Sequence, residues 1–452
     1  MAKHLWSKWL MLIGLALLMA AFGCACGDDD DDNNQGADDD ADDDADDDTV
    51  DDDNVDDDTV DDDTVDDDTV DDDTVDDDTS AADPFIEEGK RYLRLDEGDL
   101  ANVQFKLGMD ADPLNGECWY GIVLADTLHN FDVVSVLVSY IEMVFGFQPP
   151  SAGDDIPQSG QAFIDQLLND ALDGLLIENS AELVEQAEHV RADDPTVEFD
   201  LDRMPIIINF EEIVDAHGVF DLAEGVAAES VARQLSGLVQ HMTALNLDFD
   251  LGLIFEIMDV DWGSMPIEEA IGLVVDYALL LIDDPIFPDF LTLKGDAEPY
   301  KAAGLELGLG FLNAAETYDL IVAETGGEQD EVLGYDDANE DGEWQEGEHL
   351  IVPPWGILDD EQNAQAWAFR DVFGHLADSF LDYTEYDQDP ENATPFKLAY
   401  LNELLKSFGL PGLFPDSPLF QIDFGASYRD ADPTQFRDTL VLILKLLDSI
   451  LP

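Results

Sequence analysis

The chain has 452 residues, with 108 Asp and Glu against 17 Lys and Arg, and a formal net charge of −91. Nucleic-acid binding needs a basic footprint and docking on anionic lipid needs clustered Lys and Arg, so this composition excludes both. The acid is concentrated near the N-terminus, because residues 28–84 hold 33 Asp and no basic residue. Residues 85–452 carry a net charge of −60 and enough Leu, Ile, Val and Phe to bury a sizeable core.

Residues 1–23 have the pattern of an export signal peptide. Two lysines precede an unbroken apolar run over residues 9–22, which is shorter than the roughly 20 residues of a spanning helix. The run ends in Ala-Phe-Gly-Cys, which resembles the lipoprotein box of bacterial envelope proteins. The resemblance implies that Cys24 is diacylated and becomes the mature N-terminus of a membrane-anchored lipoprotein. The alternatives are lipidation of Cys26 and simple secretion.

The segment 24–84 is predicted to be a disordered linker. From Asp51 the pentapeptide Asp-Asp-Asp-Thr-Val repeats to Thr79, with Asn54 as the internal substitution. A block this acidic has no apolar face to bury, and its carboxylates repel one another. We therefore expect it to act as an extended spacer. The alternative is a weak calcium reservoir, although the repeat lacks the Gly that lets a chain wrap an ion.

After Pro84 apolar residues recur at helical spacing, which predicts a mainly α fold, either an α-helical repeat or a bundle. The predicted helices cover residues 85–95, 99–110, 116–146, 160–173, 179–190, 227–245, 266–282, 298–324, 360–382, 395–408 and 434–450. Alternation at 197–201 and an apolar run at 205–210 predict one small hairpin or an irregular excursion, and residues 248–255 are ambiguous.

The first two predicted helices resemble a tetratricopeptide repeat (TPR). With Pro113 as the closing proline of this roughly 34-residue pattern, six residues fall on its aromatic, small, tyrosine, alanine, aromatic and small positions: Phe85, Gly89, Tyr92, Ala101, Phe105 and Gly108. The resemblance implies a TPR-like region over 85–190, followed by a helical region over 191–452, and binding of a partner or ligand. The alternatives are an ordinary helical hairpin and, by architecture alone, an accessory subunit of a periplasmic transporter.

Residues 337–348 have the spacing of an EF-hand calcium loop, Asp-x-Asn-x-Asp-Gly followed by a Glu at the twelfth position. Alternate side-chain oxygens converge as such a loop curls, and Gly342 permits the turn that aims a backbone carbonyl inward. We therefore predict Ca²⁺ as a cofactor, most simply in a structural role, with the ligands Asp337, Asn339, Asp341, Glu343, Gln345 and Glu348.

Two residues depart from the paired EF-hand pattern. Trp344 stands where a β-branched or aliphatic residue pairs two loops, and Gly347 interrupts a following helix. The segment therefore resembles the solitary, dockerin-like calcium loops of exported bacterial proteins. The alternative is an acidic turn that matches by chance.

The sequence contains no recognisable catalytic motif: no Gly-x-Ser-x-Gly, His-Glu-x-x-His, phosphate-binding loop with Lys, or Cys-x-x-Cys. Cys118 is the one cysteine after the linker, so we expect a small buried residue and no disulfide scaffold. The Gly-rich stretch 304–310 predicts close helix packing.

We expect a non-enzymatic binding or scaffold protein with an unidentified protein or small-ligand partner, no nucleic acid, and membrane contact through its lipid alone. The alternative is an exported hydrolase whose carboxylates act without a motif.

Overall fold

The computed structural model describes most of the chain after Thr79. The described residues are 80–145, 161, 165, 175–208, 211–249, 267–282, 284–324, 332–337, 344–345, 347–353, 356–381, 394–407, 412, 414–434, 437–438, 441–442 and 444–445. The predicted signal peptide, Cys24 and the Asp-rich repeat lie outside them, as do most of the predicted helices 160–173 and 434–450.

Four helices begin the body, and each packs on the next along the chain. They are α1 (Asp83–Leu93), α2 (Gly98–Ala111), α3 (Gly116–Phe145) and α4 (Leu175–Asp193). Cys118 at the start of α3 is fully buried, as predicted, and burial raises the pKa of its thiol to about 12. The buried apolar residues on the facing sides of these helices form the first part of the core.

A single aromatic ring joins the first three helices. Phe105 of α2 is fully buried between Gly89 of α1 and Gly121 of α3. A Cβ atom on Gly89 would lie 2.5 Å from the Phe105 ring, and one on Gly121 would overlap the same ring. The two glycines therefore allow α1 and α3 to close on Phe105 from both sides.

A long antiparallel hairpin follows α4. Its strands are β1 (Phe199–Ile208) and β2 (Glu211–Phe220), and the register shifts twice along their length. The ring of Phe199 packs 5.9 Å from that of Phe105 and 5.8 Å from that of Tyr120. The hairpin thus extends the core of α1–α3, and it is longer than the sequence predicts because charged residues interrupt the apolar pattern of β2.

The next helix, α5 (Leu222–Ala244), begins earlier than its predicted start at residue 227. Asp221 accepts a hydrogen bond from the Ala223 N–H at 2.8 Å, and Glu224 accepts one from the Asp221 N–H at 2.8 Å. This reciprocal capping box satisfies N–H groups that an uncapped helix leaves unbonded, so it fixes the helix start at Leu222.

Helix α5 packs closely on α7 (Glu298–Ile321), which in turn packs on α8 (Asp360–Leu381); α6 (Ile267–Ile282) lies between α5 and α7 in sequence. A Cβ on Gly310 would lie 2.7 Å from Gln234 of α5, and one on Gly308 would lie 2.7 Å from Leu381 of α8. The predicted role of residues 304–310 in close helix packing is therefore confirmed.

Short strands and helices complete the described part of the fold. β3 (Gly334–Tyr335), β4 (Leu350–Val352) and β5 (Gly356–Ile357) form an antiparallel sheet, and β6 (Phe396–Lys397) pairs with β7 (Gln421–Ile422). Two short α-helices follow, α9 (Leu401–Ser407) and α10 (Phe424–Arg429), together with 3₁₀ helices at Leu398–Tyr400 and Pro418–Phe420. The predicted helix 395–408 is wrong in its first half, because the Phe396 N–H bonds Ser379 of α8 and this strand pairing replaces helical bonds.

Helices predominate among the described residues, which confirms the mainly α prediction. None of these described helices combines the length and the apolarity needed to cross a bilayer.

Candidate metal centre

The two ends of the predicted calcium loop meet at its base. The Asp336 N–H donates to the His349 carbonyl at 2.8 Å, and the preceding pairs are Tyr335 with Leu350 and Gly334 with Ile351. Asp337 and Glu348, the first and twelfth loop residues, follow directly on either side of this hydrogen bond. The strands β3 and β4 therefore form a neck that closes residues 337–348 into a loop.

Glu348, the predicted closing ligand, is buried and bonded to the neighbouring backbone. Its side chain is buried, and one carboxylate oxygen accepts the Gln345 N–H at 2.7 Å. The Glu348 N–H donates to the Gln345 carbonyl at 3.0 Å, and Gly347 between them has a φ of +107°. Because that backbone conformation favours glycine, Gly347 turns the chain into β4, and no helix follows the loop.

Trp344 holds the loop against the body. Its ring lies edge-on to Tyr335 of β3, with centroids 5.5 Å apart, and 5.7 Å from Trp367 of α8. In a paired EF-hand this loop position contacts a second loop, whereas here an aromatic side chain contacts the helical core. The structure thus gives a physical reason for the departure at residue 344.

Further hydrogen bonds tie the neck to two helices. Leu333, just before β3, donates its N–H to Glu224 of the α5 capping box at 2.7 Å. Asn363 of α8 donates to the Glu348 carbonyl at 3.2 Å and accepts the Leu350 N–H at 3.2 Å. The base of the loop is therefore fixed by α5 on one side and by α8 on the other.

The residues of the predicted ligand set that the structure describes carry side-chain oxygens, and Ca²⁺ prefers carboxylate and carbonyl oxygens. Asp337, Gln345 and Glu348 lie at or near the neck, while Asn339, Asp341 and Glu343 lie outside the described residues. Within the part described, no group of three or more His, Cys, Asp or Glu side chains is arranged to hold a metal. The neck brings together the residues next to both ends of the ligand set.

Two buried carboxyl groups elsewhere have raised pKa values. Burial, together with the charge of Glu182, raises the pKa of Asp126 on α3 to about 7. Burial and the nearby Asp221 raise the pKa of Glu224 well above its usual range. Asp126 accepts a hydrogen bond from Asn102 at 2.7 Å, whereas Glu224 caps α5, so each carboxyl has its own structural partner.

A buried polar cluster between α5, α7 and α10 was missed by the sequence analysis. The Tyr428 hydroxyl bonds the His241 Nδ1 at 2.8 Å, and the Tyr300 hydroxyl bonds the Ser427 hydroxyl at 2.9 Å. Burial lowers the pKa of His241 to about 4. Because His241 bonds Tyr428 and Ser427 bonds Tyr300, serine and histidine are not paired as nucleophile and base.

An ion-pair network crosses the seam between α4, α5 and α7. Glu229, only 3% exposed, accepts from Arg233 at 2.8 Å and from Arg191 at 2.9 Å. Arg233 also contacts Glu306 at 3.1 Å and Glu188 at 2.9 Å. The pair Glu229 and Arg233 is a local i,i+4 pattern, whereas the contacts with Arg191, Glu188 and Glu306 join residues distant in sequence that no local pattern brings together.

Comparison of the chain with protein-family models, with curated proteins and with solved structures gives no match.

Proposed function

We propose that this protein is a lipoprotein of the bacterial envelope whose helical body is a calcium-stabilised binding module. The export signal and Cys24 provide the anchor, and the acidic segment before Ser80 provides the spacer. The TPR-like hairpin of α1 and α2 supports a binding role over an enzymatic one.

The observation that carries the calcium part is the neck of the loop. Binding a cation costs conformational entropy when the chain must first be ordered around it. The hydrogen bond between Asp336 and His349 reduces this cost, because it already holds the two ends of the loop together. The packing of Trp344 on Trp367 of α8 also fixes the chain at residue 344. These contacts support a site that is preorganised by the fold.

Each proposed ligand has a distinct role. Asp337, Asn339 and Asp341 would supply side-chain oxygens, Glu343 its backbone carbonyl, Gln345 an oxygen reached through water, and Glu348 a carboxylate that closes the shell. Bound Ca²⁺ would neutralise carboxylates that otherwise repel one another. Extracellular sites of this kind have dissociation constants of about 10⁻⁴–10⁻³ M. In calcium-rich surroundings such a site stays nearly saturated, which suits a structural ion.

The test is thermal unfolding of the full chain with chelator, with Ca²⁺ and with Mg²⁺. Ca²⁺ at about one hundred times its Kd should stabilise the folded state by about 2.7 kcal/mol, and Mg²⁺ should restore the melting temperature poorly because it dehydrates reluctantly. Glu348→Gln should abolish the calcium response. Glu298→Gln, at an exposed acid on α7, is the matched control and should keep it.

Calcium bound to the Asp-rich segment would not shift the melting temperature, because that segment is predicted to be disordered whether or not the body is folded. A calcium shift that persists in Glu348→Gln, or that is absent from the unaltered protein, would show that residues 337–348 are only an acidic turn.

Anchoring has its own test, by partition of the protein between detergent and aqueous phases. Cys24→Ser should move the protein to the aqueous phase, and Cys26→Ser should leave it in the detergent phase. The reverse pattern would assign the lipid to Cys26, and no change in either variant would refute lipidation.

A further inference from the structure

The outer face of α2, together with the turns on either side of it, carries a concentration of exposed apolar side chains. Of nine large apolar residues that are exposed in the described part of the chain, five lie between residues 95 and 114. Leu100, Val103 and Leu107 are 46%, 51% and 42% exposed and follow one another at helical spacing. We call these three residues the α2 stripe. Contiguous exposed apolar surface of this kind marks an interaction site more often than scattered single residues do.

The α2 stripe is held rigidly by the opposite face of its helix. Ala101 and Phe105 are fully buried, and Phe105 is enclosed by the glycines of α1 and α3. Because α2 is already ordered, binding of a partner to the α2 stripe carries no entropic cost for ordering this helix. The spacing of the three side chains suits a second amphipathic helix packed along α2.

The charges along the stripe decide between partners. Asp99 and Asp110 lie on the same edge of α2 as the stripe, and both are exposed. Lys106, on that edge, is paired with Glu182 at 2.6 Å, so it leaves the edge acidic. An antiparallel second copy would bring this acidic edge against itself, and in any orientation each body carries a net charge of −60, so two copies repel each other.

We infer that the α2 stripe docks an amphipathic helix of a partner protein, with apolar residues on one face and Lys or Arg along its edge. The apolar side chains provide the contact, and the opposite charges provide orientation and faster association. This inference rests on the proposed binding role and gives it a surface. The docking of a helix on the α2 stripe requires neither the lipid anchor nor Ca²⁺. The outcome of the peptide-binding experiment is therefore independent of the outcomes of the calcium and anchoring tests.

The experiment measures binding of synthetic 18-residue peptides to the full chain by fluorescence anisotropy. The probe contains Leu and Lys with all Leu on one helical face, and a scrambled peptide of identical composition measures attraction to the acidic segment alone. A third peptide replaces Lys by Glu. We expect the probe to bind at least about tenfold more tightly than the scrambled peptide, because burial of several Leu and Val side chains separates the two.

The variant Leu100→Gln/Val103→Gln/Leu107→Gln should reduce probe binding to the level of the scrambled peptide. Ile286→Gln, at an apolar residue that is 74% exposed elsewhere, is the matched control and should bind as the unaltered protein does. Circular dichroism verifies that the triple variant keeps its helices. The inference is overturned if the triple variant binds the probe normally, if the Glu peptide binds as well as the Lys peptide, or if sedimentation shows a dimer that the triple variant loses.

Discussion

The enclosure of Phe105 makes Gly89→Ala an informative substitution. In a helix interior, Ala is favoured over Gly by about 1 kcal/mol, so helix propensity alone predicts a more stable protein. The added Cβ, however, would lie 2.5 Å from the Phe105 ring, and Gly121 closes the opposite side, so the ring has no space into which to move. Overpacking of a core costs about 1–3 kcal/mol. The difference is a net loss of about 0–2 kcal/mol, in place of the gain that helix propensity alone predicts.

The assay is urea unfolding of the full chain, followed by circular dichroism. Gly374→Ala is the matched control, because Gly374 lies in α8 and a Cβ there has no heavy atom within 4 Å. It should stabilise the protein by about 1 kcal/mol. In a Phe105→Leu background the penalty of Gly89→Ala should shrink, since the smaller side chain leaves space for the methyl group. Equal stabilisation by Gly89→Ala and Gly374→Ala would refute the close approach of α1 and α2.

Three further predictions concern charge. Asp126 has a pKa of about 7 in the folded state, above its unfolded value of about 3.9. Between these pH values the folded state binds more protons, so the protein loses stability as the pH rises from about 4 to 7. Asp126→Asn should abolish that loss in urea unfolding, and parallel pH profiles for the two proteins would contradict this. Arg233→Met removes one of the two arginines that pair with the buried Glu229 and leaves Arg191, so it should cost about 1–3 kcal/mol. Glu188→Gln at the exposed rim should cost less than about 1 kcal/mol in the same assay. Similar costs for the two variants would show that the network is not buried. The body carries a net charge of −60, so its acidic residues repel one another. Raising the salt concentration from about 0.1 to 1 M shortens the Debye length from about 10 to 3 Å and should raise the melting temperature measured with chelator present. A melting temperature that does not change with salt would mean that the acidic residues are locally paired.

Local patterns account for most of the helices that the structure describes. Helix α3 runs over 116–145 against a prediction of 116–146, since its apolar periodicity is long and has no Pro. The capping box of α5 was readable from Asp221 and Glu224, three residues apart, and would have placed the helix start correctly. Strand β6 was not readable, because its partner β7 is distant in sequence and the apolar residues around Phe396 suit either structure.

The same division applies to the candidate site. The ligand spacing of residues 337–348 is a local pattern, so the sequence alone specifies it. The neck between β3 and β4 and the contact of Trp344 with Trp367 depend on tertiary packing, which no residue spacing reveals. The ion pairs of Arg233 with Glu188 and Glu306 likewise join residues on three helices.

The neck of the loop also makes this protein a candidate carrier for foreign peptides. Because the Asp336 N–H and the His349 carbonyl are 2.8 Å apart, an insert spliced between them begins and ends at one point on the body. Each doubling of the length of such an insert adds only about 0.6 kcal/mol of closure cost. Strands β3 and β4 would keep their register, since α5 and α8 hold them through Glu224 and Asn363. A graft at this position would therefore be held at both of its ends by contacts with α5 and α8.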